Sequence, residues 1–372
     1  LTMNQEWDAD KIYVVEPILT AIPIADANFK VYLVANFDTD GDGEISSSEA
    51  KQVTTIDVNT DDIYSLNGIE YFTNLTHLTC IGTSEWDSNS SSYIGIGKLT
   101  EIDLSKNVKL AYLTCYNNQL SQLNLNKNSQ LTDLTCGNNQ LLEIDLSSCT
   151  LLKDLDCGNN QLTELDLSNN TQLTNLDCIH NQLTQLDLSN NANLITLYCE
   201  ENQLTELNLS NCTHLSCFNN QLTQLDLSNN TQLTYLRCYS NQLTELDLSN
   251  NTQLTELLCY SNQLTELDLS NNTQLLVLDC EDNQLTQLDL SNNTGLAYLY
   301  CDNNLFTELD LSNNSQLTNL NCAENQLTQL DLSNNTTLEI VDCTDNPLET
   351  IYVFEGYSFT LEKPETTQVV VK

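Results

Sequence analysis

The chain has 372 residues, 52 of them acidic and 11 basic, for a formal net charge of −41. That imbalance argues against nucleic acid, which needs clustered Lys and Arg, and against docking on anionic membranes. No run of about 18 apolar residues is present to span a bilayer, and the start at Leu1 without a signal sequence reads as a mature or trimmed chain.

Residues 1–62 read as an N-terminal cap. Asp26 is placed to cap a helix whose Phe29, Leu33 and Phe37 recur every four residues. Next comes Asp38-Thr-Asp40-Gly-Asp42-Gly43-Glu44-Ile45-Ser46-Ser-Ser-Glu49, which matches the EF-hand calcium loop at its key positions. Asp38, Asp40 and Asp42 supply carboxylates, and Gly43 permits the sharp turn. Glu44 offers its backbone carbonyl, Ser46 acts through water, and Glu49 closes the site with both oxygens. Ser46 to Ala50 reads as the start of a second short helix. The expected cofactor is one structural calcium, stapling the cap to the turns that follow. A sensor role is disfavoured, because there is a single loop and the chain has one Met.

Residues 63–346 repeat a phrase of 21 residues marked by cysteine. Cys115, Cys136, Cys157, Cys178 and Cys199 are 21 apart, as are Cys217, Cys238, Cys259, Cys280, Cys301, Cys322 and Cys343. The step from Cys199 to Cys217 is 18, a deletion of three. Leu75-Thr-His-Leu-Thr-Cys80 is an earlier turn, and the 35-residue step to Cys115 leaves an inserted loop at about 85–98 that includes Trp86, Ser88, Ser90 and Ser91. A fixed period of this length predicts a β-rich solenoid of about 13 turns with modest curvature and almost no helix in the array.

Within a turn, Leu176 and Cys178 share one face of a strand and point inward, while Asn175, Asp177 and Ile179 point out. Asn181 is placed to bond the loop backbones of adjacent turns. Leu183, Leu186, Leu188 and Asn191 repeat the grammar, which predicts a second short strand on the other side of each turn. The cysteines should form a column of buried small hydrophobes about 5 Å apart, too regular a ladder for disulfides. Cys149 and Cys212 lie off that column, at a position usually held by Asn, and are not expected to bond to each other. A column of outward Asp, from Asp145 and Asp166 through Asp247 and Asp268 to Asp331, reads as a solvated acidic face, with weak divalent-cation binding as the sharper alternative.

The outward strand positions change character along the stack. Early turns carry Asp133, Asp154, Asp156, Gly137 and Gly158; the middle turns carry Tyr198, Phe218, Tyr235, Arg237, Tyr239, Leu258, Tyr260, Tyr298 and Tyr300. Tyr239 and Tyr260 should be neighbours. Exposed Tyr and Arg on an Asn, Asp and Thr surface point to a binding face. The plainer alternative is cross-strand packing, with Arg237 paired to Glu256 or another acid. His77, His180 and His214 fall on distant turns and no nucleophile is singled out, so no enzymatic role is expected. Residues 347–372 read as a β C-terminal cap.

The phrase Leu-x-x-Leu-x-Cys-x-x-Asn-x-Leu resembles the leucine-rich repeat, with Cys at a usual Leu position, over about residues 63–347. Its 21-residue period and cysteine ladder are most similar to a subset of bacterial internalins. The end, Thr367-Gln-Val-Val-Val-Lys372, lacks the cell-wall sorting motif of Gram-positive members. The resemblance implies a monomeric extracellular or cell-surface protein, any lipid anchor lying outside this stretch, acting in adhesion or recognition of a protein partner. Glycan binding on the same tyrosine face and an acidic coat without a specific ligand are the alternatives.

Overall fold

In the computed structural model, residues 21–87, 92–209 and 211–372 are described; the chain start and Ser88, Ser90 and Ser91 of the inserted loop lie outside them. The turns stack into one parallel sheet of 15 strands. Thr55–Asn59 opens it and Thr360–Glu362 closes it, and the strands between hold or precede the ladder cysteines. The cap strands extend the expected 13 turns by one at each end.

Each strand is short, because only its middle residue and the cysteine after it point inward. Asn175–Asp177 is typical: Leu176 is buried and its flanks reach solvent. The strand pairs in register with Asp154–Asp156 on one side and Thr196–Tyr198 on the other. One turn buries Leu173, Leu176, Cys178, Leu183, Leu186 and Leu188, joining a core that is continuous along the stack. All 15 cysteines are buried and free. Thiols such as Cys178 and Cys199 donate to the carbonyl of the next turn, at 3.6 and 3.5 Å. Burial, and then the neighbouring thiols, push the ladder thiols well up.

Two asparagine columns hold the turns together. Asn181 Nδ2 donates to the carbonyls of Cys157 and Cys178, and its Oδ1 accepts from Leu183's counterpart one turn back, Leu162. Asn191 donates to Leu167 and Asn170. These bonds satisfy loop carbonyls that a strand would otherwise pair, at the cost of an unpartnered Asn191 Oδ1.

The expected second strand is absent from most turns. The outward Asp bends the chain instead: Asp247 Oδ1 accepts from the Ser249 amide at 2.9 Å, and the Asn251 amide bonds back to Leu248. The resulting turn leaves one lateral backbone bond, such as Gln182 N to Leu162 O. Among the described residues, paired strands form on this side only at the C-terminal end, in Gln329–Asp331, Thr350–Val353 and Gln368–Val371, with single bridges at Ser65–Glu101 and Asp187–Asn208.

The deletion also moves Cys212. Strand register sets Leu215 against Leu197, so Cys212 stands opposite Leu194 rather than in the asparagine column. The column skips that turn. Asn230 turns about, accepting from the Cys212 amide at 2.9 Å and leaving its Nδ2 unpartnered. Cys149 does occupy the asparagine position, its amide bonding to Leu146.

The inserted segment is a hairpin, Ser84–Asp87 against Ser92–Gly95, not a plain loop. Its base needs glycine: a Cβ on Gly82 would lie 2.2 Å from the Asn117 carbonyl oxygen. At the N-terminal end, helix α1 (Ala27–Phe37) is capped by Asp26 and buries Phe29 and Leu33. Helix α2 (Ser47–Ala50) begins in a capping box between Ser46 and Glu49. Asp26 also accepts from the Tyr64 amide, tying the cap to the array.

Candidate ligand face and calcium loop

Three columns of outward side chains cross the sheet, one residue after, one before and three before each ladder cysteine. In the middle turns the first column runs Glu200, Phe218, Tyr239, Tyr260, Glu281, Asp302. Phe218 and Tyr239 stack with ring centroids 4.3 Å apart and planes 10° off parallel; Tyr239 and Tyr260 stack at 4.1 Å and 9°. In-register parallel pairing produces this geometry, since identical strand positions repeat at about 4.8 Å. Both faces of Tyr239 are therefore covered, and the stack presents ring edges and phenol oxygens to solvent.

The second column holds Tyr198, Arg237, Leu258 and Tyr300, the third Tyr235 and Tyr298. Tyr198 and Tyr298 are 38% and 42% exposed. Arg237 lies over the Tyr235 ring, 4.6 Å from its centroid, and its Nη2 reaches Glu256 Oε1 at 3.3 Å. So the cross-strand pairing considered from sequence is present, and it uses the only arginine. All nine aromatic, arginine and leucine residues expected at this face do lie on it.

Sequence reasoning named Asp156 only as an outward residue and passed over Glu200, Asp279 and Glu281. Burial, helped by neighbouring carboxylates and opposed at Glu200, Asp156 and Asp279 by hydrogen bonds, pushes Glu200 and Glu281 up to about 7 and Asp156 and Asp279 to about 6. Glu281 and Asp302 are neighbours, and the Asp302 carboxyl helps to raise Glu281. Their signal in the sequence was acid at an outward strand position next to tyrosine, where bulky neighbours remove water from the carboxyl. The Asp column on the opposite side differs: bonds from Ser249 hold Asp247 below the usual range, and the same holds for Asp268 with Ser270.

In the cap loop, carboxylate oxygens of Asp38, Asp40 and Asp42 lie within 4.8 Å of one another. Asp38 accepts from the Gly41 and Gly43 amides, which curl the loop around it. A bond from Asp42's amide lowers the Asp40 carboxyl, but burial and the carboxylates of Asp42, Glu49 and Asp38 raise it overall. Glu49 stands apart from the three. It is 6% exposed, and its oxygens accept from the amides and hydroxyls of Thr39 and Ser46 at 2.7–2.9 Å. Burial opposes its ionisation, yet these bonds hold its carboxyl at about 2. Glu44 pairs with Lys30 at 2.6 Å, and Ser46 caps α2.

The histidines do not form a site. His77 stacks on Tyr112, His180 pairs with Glu201, and His214 bonds to Thr213. Among the described residues no helix is long and apolar enough to cross a membrane.

No protein-family model matches this sequence, and no curated protein sequence does. Solved structures do. The functional domain of InlJ from Listeria monocytogenes, which includes a cysteine ladder, is 34% identical with a TM-score of 0.78, over 90% of this chain and 77% of that one. The internalin InlF of the same organism matches over 95% and 98%, at 20% identity and a TM-score of 0.59. A leucine-rich-repeat protein of Leptospira interrogans matches over 81% and 92%, at 21% identity and 0.61. The last two share the fold alone. The ladder of buried cysteines on a 21-residue period and the likeness to the InlJ domain make this chain a member of the cysteine-ladder internalins, within the leucine-rich-repeat proteins.

Proposed function

We propose that this chain is a non-enzymatic extracellular or cell-surface recognition protein that binds a protein partner through the ladder face from Tyr198 to Tyr300. The observation that carries the reading is the contiguous aromatic patch around the Phe218–Tyr239–Tyr260 stack, on a surface otherwise of Asn, Asp and Thr. Tyr and Arg are the residues that anchor interfaces. Sugar recognition needs an open ring face, and Tyr239 at the centre of the stack has none, which favours a protein partner over a glycan at that point of the face. The calcium reading accompanies it: Asp38, Asp40, Asp42, the Glu44 carbonyl, Ser46 and Glu49 would hold one ion and rigidify the cap.

The test is to probe the purified protein on an array of extracellular protein domains and, in parallel, on a glycan array. Tyr239→Ala with Tyr260→Ala removes two stacked pairs, at about 0.5–1.5 kcal/mol each, which a continuous core of this length absorbs. The double variant should melt within a few degrees of wild type and lose a saturable protein hit. Hits confined to glycans, or a protein hit of unchanged affinity, would refute the reading.

A further inference from the structure

The ring stack ends in acid on both sides. Glu200 precedes Phe218 in its column, and Glu281 and Asp302 follow Tyr260. Among the described residues no ion pair reaches any of the three; the salt bridges join other residues, and Arg237 is held by Glu256 and Tyr235. Glu200 Oε2 and Asp302 Oδ1 are buried without a hydrogen-bond partner. Uncompensated acceptors beside an apolar patch are a standing cost that a cation from outside would remove.

Glu200 and Glu281 are four strands apart, or about 19 Å at the usual strand spacing. An extended chain covers that distance in about six residues. We propose that the partner lays an extended cationic segment along the stack axis, with Lys or Arg side chains about six residues apart pairing with Glu200 at one end and with Glu281 and Asp302 at the other. The residues between them rest on the edges of Phe218, Tyr239 and Tyr260. This inference rests on the ladder face being the binding surface and adds the chemistry of what it binds.

The surroundings of the two carboxyls dictate a pH dependence. Glu200 faces Asp177, Glu201, Cys178, Cys199, Cys217 and Tyr239, and the nearby imidazole of His180 is taken by Glu201. Glu281 faces Asp279, Asp282, Asp302, Cys280 and Tyr260. No group in either set is cationic, and each carboxyl is pushed up to about 7. Below about pH 7 a cation must therefore displace a proton at each end. At pH 6 each carboxyl is only about one-tenth ionised, so each pairing weakens about tenfold relative to pH 8.

The experiment is calorimetric titration of the full chain with synthetic 11-residue peptides in 150 mM salt at pH 8 and pH 6. The probe peptide carries Lys at positions 3 and 9 among Thr and Val. Its counterparts carry Gln or Glu at those positions, or two Lys three residues apart. The spaced Lys peptide should bind saturably at pH 8 and at least tenfold more weakly at pH 6. Glu200→Gln and Glu281→Gln should each reduce binding about tenfold with melting temperature unchanged or raised, whereas Asp247→Asn with Asp268→Asn on the opposite side should not. Equal losses in that control pair would show attraction by bulk charge and overturn the inference, as would no binding by the spaced Lys peptide. Preference for the Gln or Glu peptide, lost in Tyr239→Ala, would overturn the cationic partner while leaving the face as a binding surface.

Discussion

The second residue after each ladder cysteine from Asn117 to Asp345 takes a left-handed backbone, with φ from 47° to 60°. Asn, Asp and His tolerate this region, but Glu201, Ser240, Ser261 and Glu324 adopt it against their preference. Regular stacking forces it, because the chain must leave each strand at the same angle. Ser240→Gly should raise the urea midpoint, with a gain of about 0.5–1 kcal/mol. Ser240→Val should lower it by more, since a β-branched side chain fits this region worst; no difference between the two would remove strain from the account. The strain was not legible in sequence, because the position carries five residue types and no glycine. Inward Leu and Cys were legible because burial admits few alternatives. The bonding role of Asn181 was legible too, but the turn-closing role of Asp247 was missed, its column being read as a solvated acidic face or a weak cation site.

At the scale of elements, the cap loop shows how far a motif reaches. Its spacing placed α1, the turn glycine and the start of α2 correctly, since those depend on local chemistry. What spacing cannot carry is the state of Glu49, whose oxygens are taken up by Thr39 and Ser46. Closing the site on calcium exchanges those bonds for the ion, which argues for an extracellular-type affinity, with a Kd of about 10⁻⁴ M. At about 3 mM calcium the cap should then gain about 2 kcal/mol. Calorimetric titration should find one site in the wild type and none in Asp38→Asn with Asp42→Asn; retained binding in that variant would place the ion elsewhere. The second strand of each turn failed as an expectation for a related reason. Alternating Leu-x-Leu reads as strand, but one Asp–Ser bond per turn is enough to end it.

For the whole molecule, charge and burial act together on pH stability. Glu200, Glu281, Asp156 and Asp279 titrate higher when folded than their ordinary values. The folded chain therefore binds more protons than the unfolded one between about pH 4.5 and 7, and stability falls as pH rises through that window. Self-repulsion at a net charge of −41 acts in the same direction. Groups held low, such as Glu49, reverse the trend only in stronger acid. Thermal melts should give a higher Tm at pH 5.5 than at pH 8, and the opposite order would contradict the burial of these carboxyls. Which face meets a partner is the central question at this scale. The most direct measurement is hydroxyl-radical footprinting of the protein alone and bound to a hit from the protein array, read by mass spectrometry at each tyrosine. The account predicts protection of Tyr198, Tyr239, Tyr260 and Tyr298, with Tyr64 and Tyr352 unchanged. Protection of Tyr352 beside the Asp column, with the ladder-face tyrosines still reactive, would contradict it.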